Sequence, residues 1–245
     1  MRLTLIHGDA LKYMKTMDSE SIDLILTDPP YNISKNVKIT RNGGKFGKAK
    51  DIQLDFGEWD KNIISWRDYI DDFARILKPY GVLVMFYDKL EISCIAKYLQ
   101  EKLEFKVRNI GVWIKSNPAP QARRVKWQDG SEFFLIATKN KGTGHHYNYK
   151  LGQSPDWFKC SVSYKHYHPT QKPDALIEWI MKYWSYPGDV VFDPFLGSGT
   201  TMVIAKKLGR DCIGVEINEK YIDIIKRRVR WNEGLDVEYI EKTVF

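Results

Sequence analysis

The residues V-V-F-D-P-F-L-G-S-G-T-T, from Val190 to Thr201, decide the class of fold. A buried apolar run ends at Asp193, a turn carrying Gly197 and Gly199 follows, and Thr200 opens a helical pattern. Strand, glycine turn and helix in that order are the grammar of a nucleotide site at the edge of a parallel α/β sheet. Glycine suits such a turn because a Cβ would occupy the ligand's space or forbid the dihedrals. Gly-x-Gly alone is weak evidence, since many such turns use glycine for geometry only.

Reading outward, the next strand runs from Asp211 to Val215 and ends in Glu216. That is about twenty residues past the turn, where an acidic group grips ribose hydroxyls. A phosphate-binding loop would close on Gly-Lys-Ser/Thr, and a dinucleotide fold would carry three glycines. Gly-Ser-Gly-Thr-Thr does neither. A cofactor with a ribose and no phosphate, such as S-adenosylmethionine, fits that lack.

Further apolar runs rich in Ile, Val, Leu and Phe lie at residues 3–6, 22–26, 82–86, 107–113 and 133–136. With 190–192 and 212–215 they make seven strands. Helix-period stretches at 66–77, 90–103, 175–184, 200–208 and 219–231 alternate with several of them. The pattern predicts one α/β domain over 1–245, a mostly parallel sheet wrapped on both faces by helices. Two segments interrupt it, 34–61 and 139–167, and neither reads as sheet core. Loops of that length in a compact domain are usually functional or mobile. We take the first as a mobile insertion and the second as a candidate target-recognition region.

The formal charge of +7 favours a polyanionic partner. Basic runs occupy 35–50 and 123–126 in loop-like sequence, whereas the run at 226–230 falls on an amphipathic helix and reads as a solvated face. No apolar stretch is long enough for a secretion signal or a bilayer span, so a cytoplasmic location without membrane contact is expected. Cys94, Cys160 and Cys212 stand in no paired spacing and read as reduced thiols. His145, His146, His166 and His168 follow no zinc spacing, and no metal is expected.

The run I-D-L-I-L-T-D-P-P-Y, residues 22–31, is a buried strand that delivers Asp28, Pro29, Pro30 and Tyr31 to the carboxyl edge of the sheet, where ligands bind. Two prolines stiffen the backbone and supply carbonyls without competing amide hydrogens. An exocyclic amino group has two hydrogens to donate. Asp28 can accept one and the Pro29 carbonyl the other, while Tyr31 offers a face for stacking a flipped base. Direct in-line methyl displacement then needs only near-attack geometry. Methylation at carbon 5 of cytosine would need a thiolate, and none of the three cysteines stands in a Pro-Cys turn.

Three motifs, D-P-P-Y at 28–31, H-P-T-Q-K-P at 168–173 and D-P-F-L-G-S-G-T at 193–200, give the sequence a specific resemblance over most of its length. It resembles the beta-group amino-specific DNA methyltransferases, which act on N6 of adenine or N4 of cytosine. The resemblance implies a seven-stranded Rossmann-like sheet with its last hairpin reversed and a circularly permuted motif order, so that strands 3–6 and 212–215 are neighbours. It implies that Thr170, Gln171 and Lys172 lie near the cofactor carboxylate and Asp9 near its adenine. Asp193, Phe195, Gly197, Gly199, Thr200, Glu216 and Asp28 complete the expected cofactor set.

An Asp rather than a Ser before Pro-Pro-Tyr points to adenine in that family, with cytosine N4 the alternative. Asn117, Pro118, Ala119 and Pro120 with Arg123 and Arg124 resemble the family's loop beside the flipped base, where arginines pair with phosphates. Lys35, Arg41 and Lys45 are further candidates for DNA contact. The recognition region is short for reading a site unaided, which suggests a homodimer or help from 35–50. A cognate restriction endonuclease is a further expected partner. Two rivals remain at this level: an RNA amino-methyltransferase, and a DNA-binding regulator that has lost catalysis.

Overall fold

Every one of the seven apolar runs becomes a strand of one sheet. The computed structural model describes residues 1–30, 38–39, 52–53, 64–119, 127–140, 146–162, 167, 171–234 and 236–245. In chain order these form β1 (Arg2–Gly8), α1 (Ala10–Thr16), β2 (Ile22–Thr27), β3 (Lys38–Ile39), β4 (Ile52–Gln53), α2 (Ile70–Ile76), β5 (Leu77–Tyr87), α3 (Ile92–Lys102) and β6 (Phe105–Lys115). There follow β7 (Ser131–Lys139), β8 (Trp157–Cys160), α4 (Asp174–Trp184), β9 (Val190–Asp193), α5 (Thr200–Leu208), β10 (Asp211–Glu216), α6 (Glu219–Val229) and β11 (Glu238–Val244).

The sheet has nine strands in the order β11-β1-β10-β9-β2-β5-β7-β6-β8. Its inner seven are the strands read from the sequence, and β1 pairs with β10 in parallel as the permuted order requires. The expected reversal falls on β7 alone, which is antiparallel to β5 and to β6. The added edge strands β11 and β8 both run parallel to their neighbours.

Alternating side chains split the core between the two faces of the sheet. Leu3, Leu5, Leu24, Leu26, Val82 and Val84 meet buried residues of α4, α5 and α6, among them Leu176, Ile180, Met202, Ile222 and Ile225. On the other face Ile6, Ile25, Leu83 and Met85 meet Met14 of α1, Phe73 of α2 and Ile95 of α3. Each such side chain contributes about 1.5–3 kcal/mol of burial. All of β2 is therefore apolar apart from Asp23 and Thr27. Asp23 is tolerated because it accepts from Lys78 Nζ at 2.8 and 2.9 Å and from Val190 N at 2.9 Å, tying the starts of β2, β5 and β9 together.

Several expectations need correction. The 139–167 segment does enter the sheet, because β8 pairs with the end of β6, Val112 opposite Trp157. The helix expected over 66–77 is a 3-10 turn at Trp66–Asp68, closed by a Ser65 capping box, followed by α2. The run 226–230 is not wholly a solvated face, because Arg228 turns inward and donates to Ser198 O at 2.8 Å and to Asp174 Oδ1 at 3.0 Å. Within the 34–61 insertion, β3 and β4 pair antiparallel; the candidates Lys35, Arg41 and Lys45 lie outside the described residues.

Candidate active site

β2 and β9 lie side by side, yet the chain leaves β9 toward β10 on one side and β2 toward β5 on the other. Ligands bind above the carboxyl ends of strands at such a reversal of order. A cleft of about 410 Å³ opens there, lined by Asp9, Asp28, Pro29, Pro30, Gln171, Lys172, Asp193, Phe195, Gly197, Thr200 and Glu216 among others. Asp28 and Gly197, far apart in sequence, thus face one space.

The glycine turn is held from three sides. Gly199 adopts φ +87°, a left-handed conformation that suits glycine, and caps α5. Gly197 N donates to Glu216 Oε2 at 2.9 Å, and Asn218 N donates to Glu216 Oε1 at 2.7 Å. Arg228 Nη1 also reaches Ser198 Oγ at 2.9 Å and Thr200 Oγ1 at 3.1 Å. At the base of the turn Asp193 accepts from Thr27 Oγ1 at 2.8 Å, Phe195 N at 3.1 Å and Thr201 Oγ1 at 2.6 Å. Thr27 directly precedes Asp28, so the last bonds lock the two motif-bearing strands together.

Asp28 leaves β2 with one carboxylate oxygen, Oδ2, bonded to Lys172 Nζ. Lys172 also pairs with Glu132 Oε2 at 3.1 Å, and Glu132 with Lys115 Nζ at 2.7 Å. Oδ1 of Asp28 is buried with no hydrogen-bond partner among the described residues. Burial raises the Asp28 carboxyl above its ordinary value; the Lys172 ammonium opposes this and the Glu132 carboxylate adds to it. A buried carboxylate oxygen without a donor is costly, and at the cleft it is an acceptor that suits a ligand's N–H.

Of the expected residues, Asp9 caps α1 by accepting from Leu11 N at 2.8 Å and also lines the cleft. Gln171 accepts from Ser198 Oγ at 3.2 Å, and Phe195 packs edge-on against Tyr69 at 5.5 Å. Asn117 lies apart from these, its side chain accepting Val162 N at 2.7 Å. Tyr31, Thr170, Arg123 and Arg124 lie outside the described residues. Thr27, Thr201, Ser198, Arg228, Glu132 and Lys115 were not singled out from sequence. Ser198 and Thr201 lie within the quoted 190–201 stretch and Thr27 directly precedes Asp28; the other three carried no such signal.

The model of the DNA methylase family defined by transfer to N6 or N4 matches residues 22–227. The chain belongs to this N6/N4 DNA methylase family. The methylase is 35% identical over 248 residues to the Type II methyltransferase M2.DpnII of Streptococcus pneumoniae, covering 93% of this chain and 90% of that one. It is 33% identical over 251 residues to the Type II methyltransferase M.HinfI of Haemophilus influenzae, covering 93% and 68%. The crystal structure of the M1.HpyAVI–SAM complex superposes with a TM-score of 0.69 at 28% identity, covering 93% and 99%. The methylase is an S-adenosylmethionine-dependent DNA methyltransferase, and its cleft suits that cofactor: Gly197 of the glycine turn lines it, and the buried Glu216 carboxylate stands beside that turn. No helix among the described residues is long and apolar enough to cross a membrane.

Two carboxyls of the cleft titrate near neutrality. Burial pushes Glu216 up from 4.5 to about 7 and Asp193 from 3.8 to about 6, against the hydrogen bonds that lower both. The cofactor-free fold holds these protons more tightly than the unfolded chain does. Their stabilising contribution is therefore complete below about pH 4 and is lost as pH rises through about 6 for Asp193 and about 7 for Glu216. Urea unfolding of Glu216→Gln should accordingly show a flatter fall in stability between about pH 5 and 7 than the parent. An unchanged slope would show that the Glu216 carboxyl is ordinary.

Proposed function

We propose that the enzyme transfers methyl to N6 of adenine in duplex DNA, on a base rotated out of the helix into the cleft. The observation that carries this is Asp28 Oδ1, a buried acceptor at the cleft without a donor among the described residues. An amino group supplies that donor. Its second hydrogen goes to the Pro29 carbonyl, and the nitrogen lone pair is thereby turned out of ring conjugation. Bound S-adenosylmethionine supplies the electrophilic methyl group. Glu216 accepts the ribose hydroxyls, Asp193 and the backbone around Gly197 and Gly199 shape the wall, and Phe195 and Asp9 border the adenine end. Tyr31 stacks on the extruded base.

Adenine is favoured over cytosine by the aspartate of D-P-P-Y, following the family resemblance. Lys35, Arg41, Lys45, Arg123 and Arg124 are assigned to phosphates, and 139–167 to target recognition. Asn117 holds its loop against the chain beyond β8, so its part is to shape that loop. A homodimer, a cognate endonuclease for the same site and a cytoplasmic location complete the proposal. The test is transfer of labelled methyl to duplex DNA followed by digestion to nucleosides. N6-methyladenine is expected, and label found only in N4-methylcytosine overturns the choice of base.

A further inference from the structure

Four charged side chains of alternating sign run from Lys115 at the end of β6 through Glu132 of β7 to Lys172 and Asp28, the last two of which line the cleft. Their side chains are only 18%, 25%, 7% and 21% exposed respectively. An ammonium paired with one aspartate alone, having three N–H donors, can draw in both carboxylate oxygens. Asp28 would then be neutralised and turned from the cleft. Glu132 shares the same ammonium as an ion pair, its Oε2 lying 3.1 Å from Lys172 Nζ, and Lys115 balances the charge Glu132 brings. Oδ1 of Asp28, a residue that lines the cleft, is left without a donor among the described residues.

We propose that Glu132 is a positioning residue for Asp28: by sharing Lys172 it leaves Asp28 an oxygen for the substrate amino group. This rests on the assignment of Asp28 to that group. Glu132 reaches the site because β7 is reversed, which puts its first residues beside the carboxyl ends of β5 and β2. Among the described residues, the ionisable groups around Asp28 are Lys172, Glu132 and Lys115, with Asp193 at the end of β9 and Tyr69 ahead of α2. Of these, Glu132 raises the Asp28 carboxyl, so its removal lowers it.

The test compares Glu132→Gln, Glu132→Asp and Asp28→Asn with the parent in single-turnover transfer across pH at saturating cofactor, where titration of Glu216 and Asp193 is masked by binding. Calorimetric cofactor affinity and thermal unfolding report on the fold. Glu132→Gln is expected to keep its cofactor affinity within about twofold, to lose at least about tenfold in rate, and to move the acid limb down by roughly 0.5–1 pH unit. Glu132→Asp, which keeps the charge, should hold the limb in place. A loss of rate with an unmoved limb in Glu132→Gln makes Glu132 merely structural and overturns the proposal, as does a parental rate. An acid limb that survives in Asp28→Asn sinks the assignment of Asp28 instead, and so identifies which of the two has failed.

Discussion

Asp28→Ala should lower the rate of methyl transfer by about 10²–10⁴-fold while cofactor affinity changes by less than about tenfold. The asymmetry follows from where the carboxylate sits. Oδ2 is committed to Lys172, and Oδ1, buried in a residue that lines the cleft, has no donor among the described residues, so what the variant removes is the acceptor assigned to the substrate amino group. The turn around Gly197, by contrast, is fastened by Glu216, Arg228 and Asp193, none of which depends on Asp28. Removing the side chain leaves Lys172 paired with Glu132, so no buried cation is stranded and the fold should survive. Isothermal calorimetry together with single-turnover transfer separates the two effects. Loss of cofactor binding altogether would move Asp28 from the base to the cofactor.

The parts of this molecule that could be read from sequence are those where one local signal suffices. Strands β2, β5, β9 and β10 are buried on both faces over most of their length, so their apolar runs are nearly continuous, Asp23 of β2 being the chief break. The glycine turn and Glu216 announce themselves by order and spacing. Elements at the margins carry no such mark. β11 mixes half-buried and exposed residues without a regular period at the sheet edge, and β8 has four residues, none fully buried. α1 spans seven residues, and its clearest signal, Asp9 as N-cap, reads equally as a ligand contact.

The charge chain to Asp28 was hidden for a different reason. Glu132 stands second in a strand whose reversal is a property of the whole sheet, and its meeting with Lys172 depends on how three strands and a loop converge. Arg228 shows the same limit: helical periodicity placed it on a charged face, while packing of α6 against the turn drew its guanidinium inward.

Glu216→Ala should weaken cofactor binding by about 100-fold or more while leaving transfer at saturating cofactor much less affected. Two hydrogen bonds from ribose hydroxyls to a buried carboxylate contribute about 1.5–3 kcal/mol each, and losing both costs about 3 kcal/mol or more. The same substitution strips the acceptors from Gly197 N and Asn218 N, which loosens the turn that the cofactor must touch. A second signature separates these two causes. Because burial pushes Glu216 up to about 7, protonation competes with binding as pH falls through neutrality, and a protonated carboxyl cannot accept both hydroxyls while keeping its backbone donors. The parent's affinity should therefore fall about tenfold from pH 8 to pH 6, whereas Glu216→Gln, weaker throughout, should lose that slope. Equal slopes in the two proteins, or an undiminished affinity in Glu216→Ala, would take Glu216 out of the cofactor site and leave it as a brace for the turn.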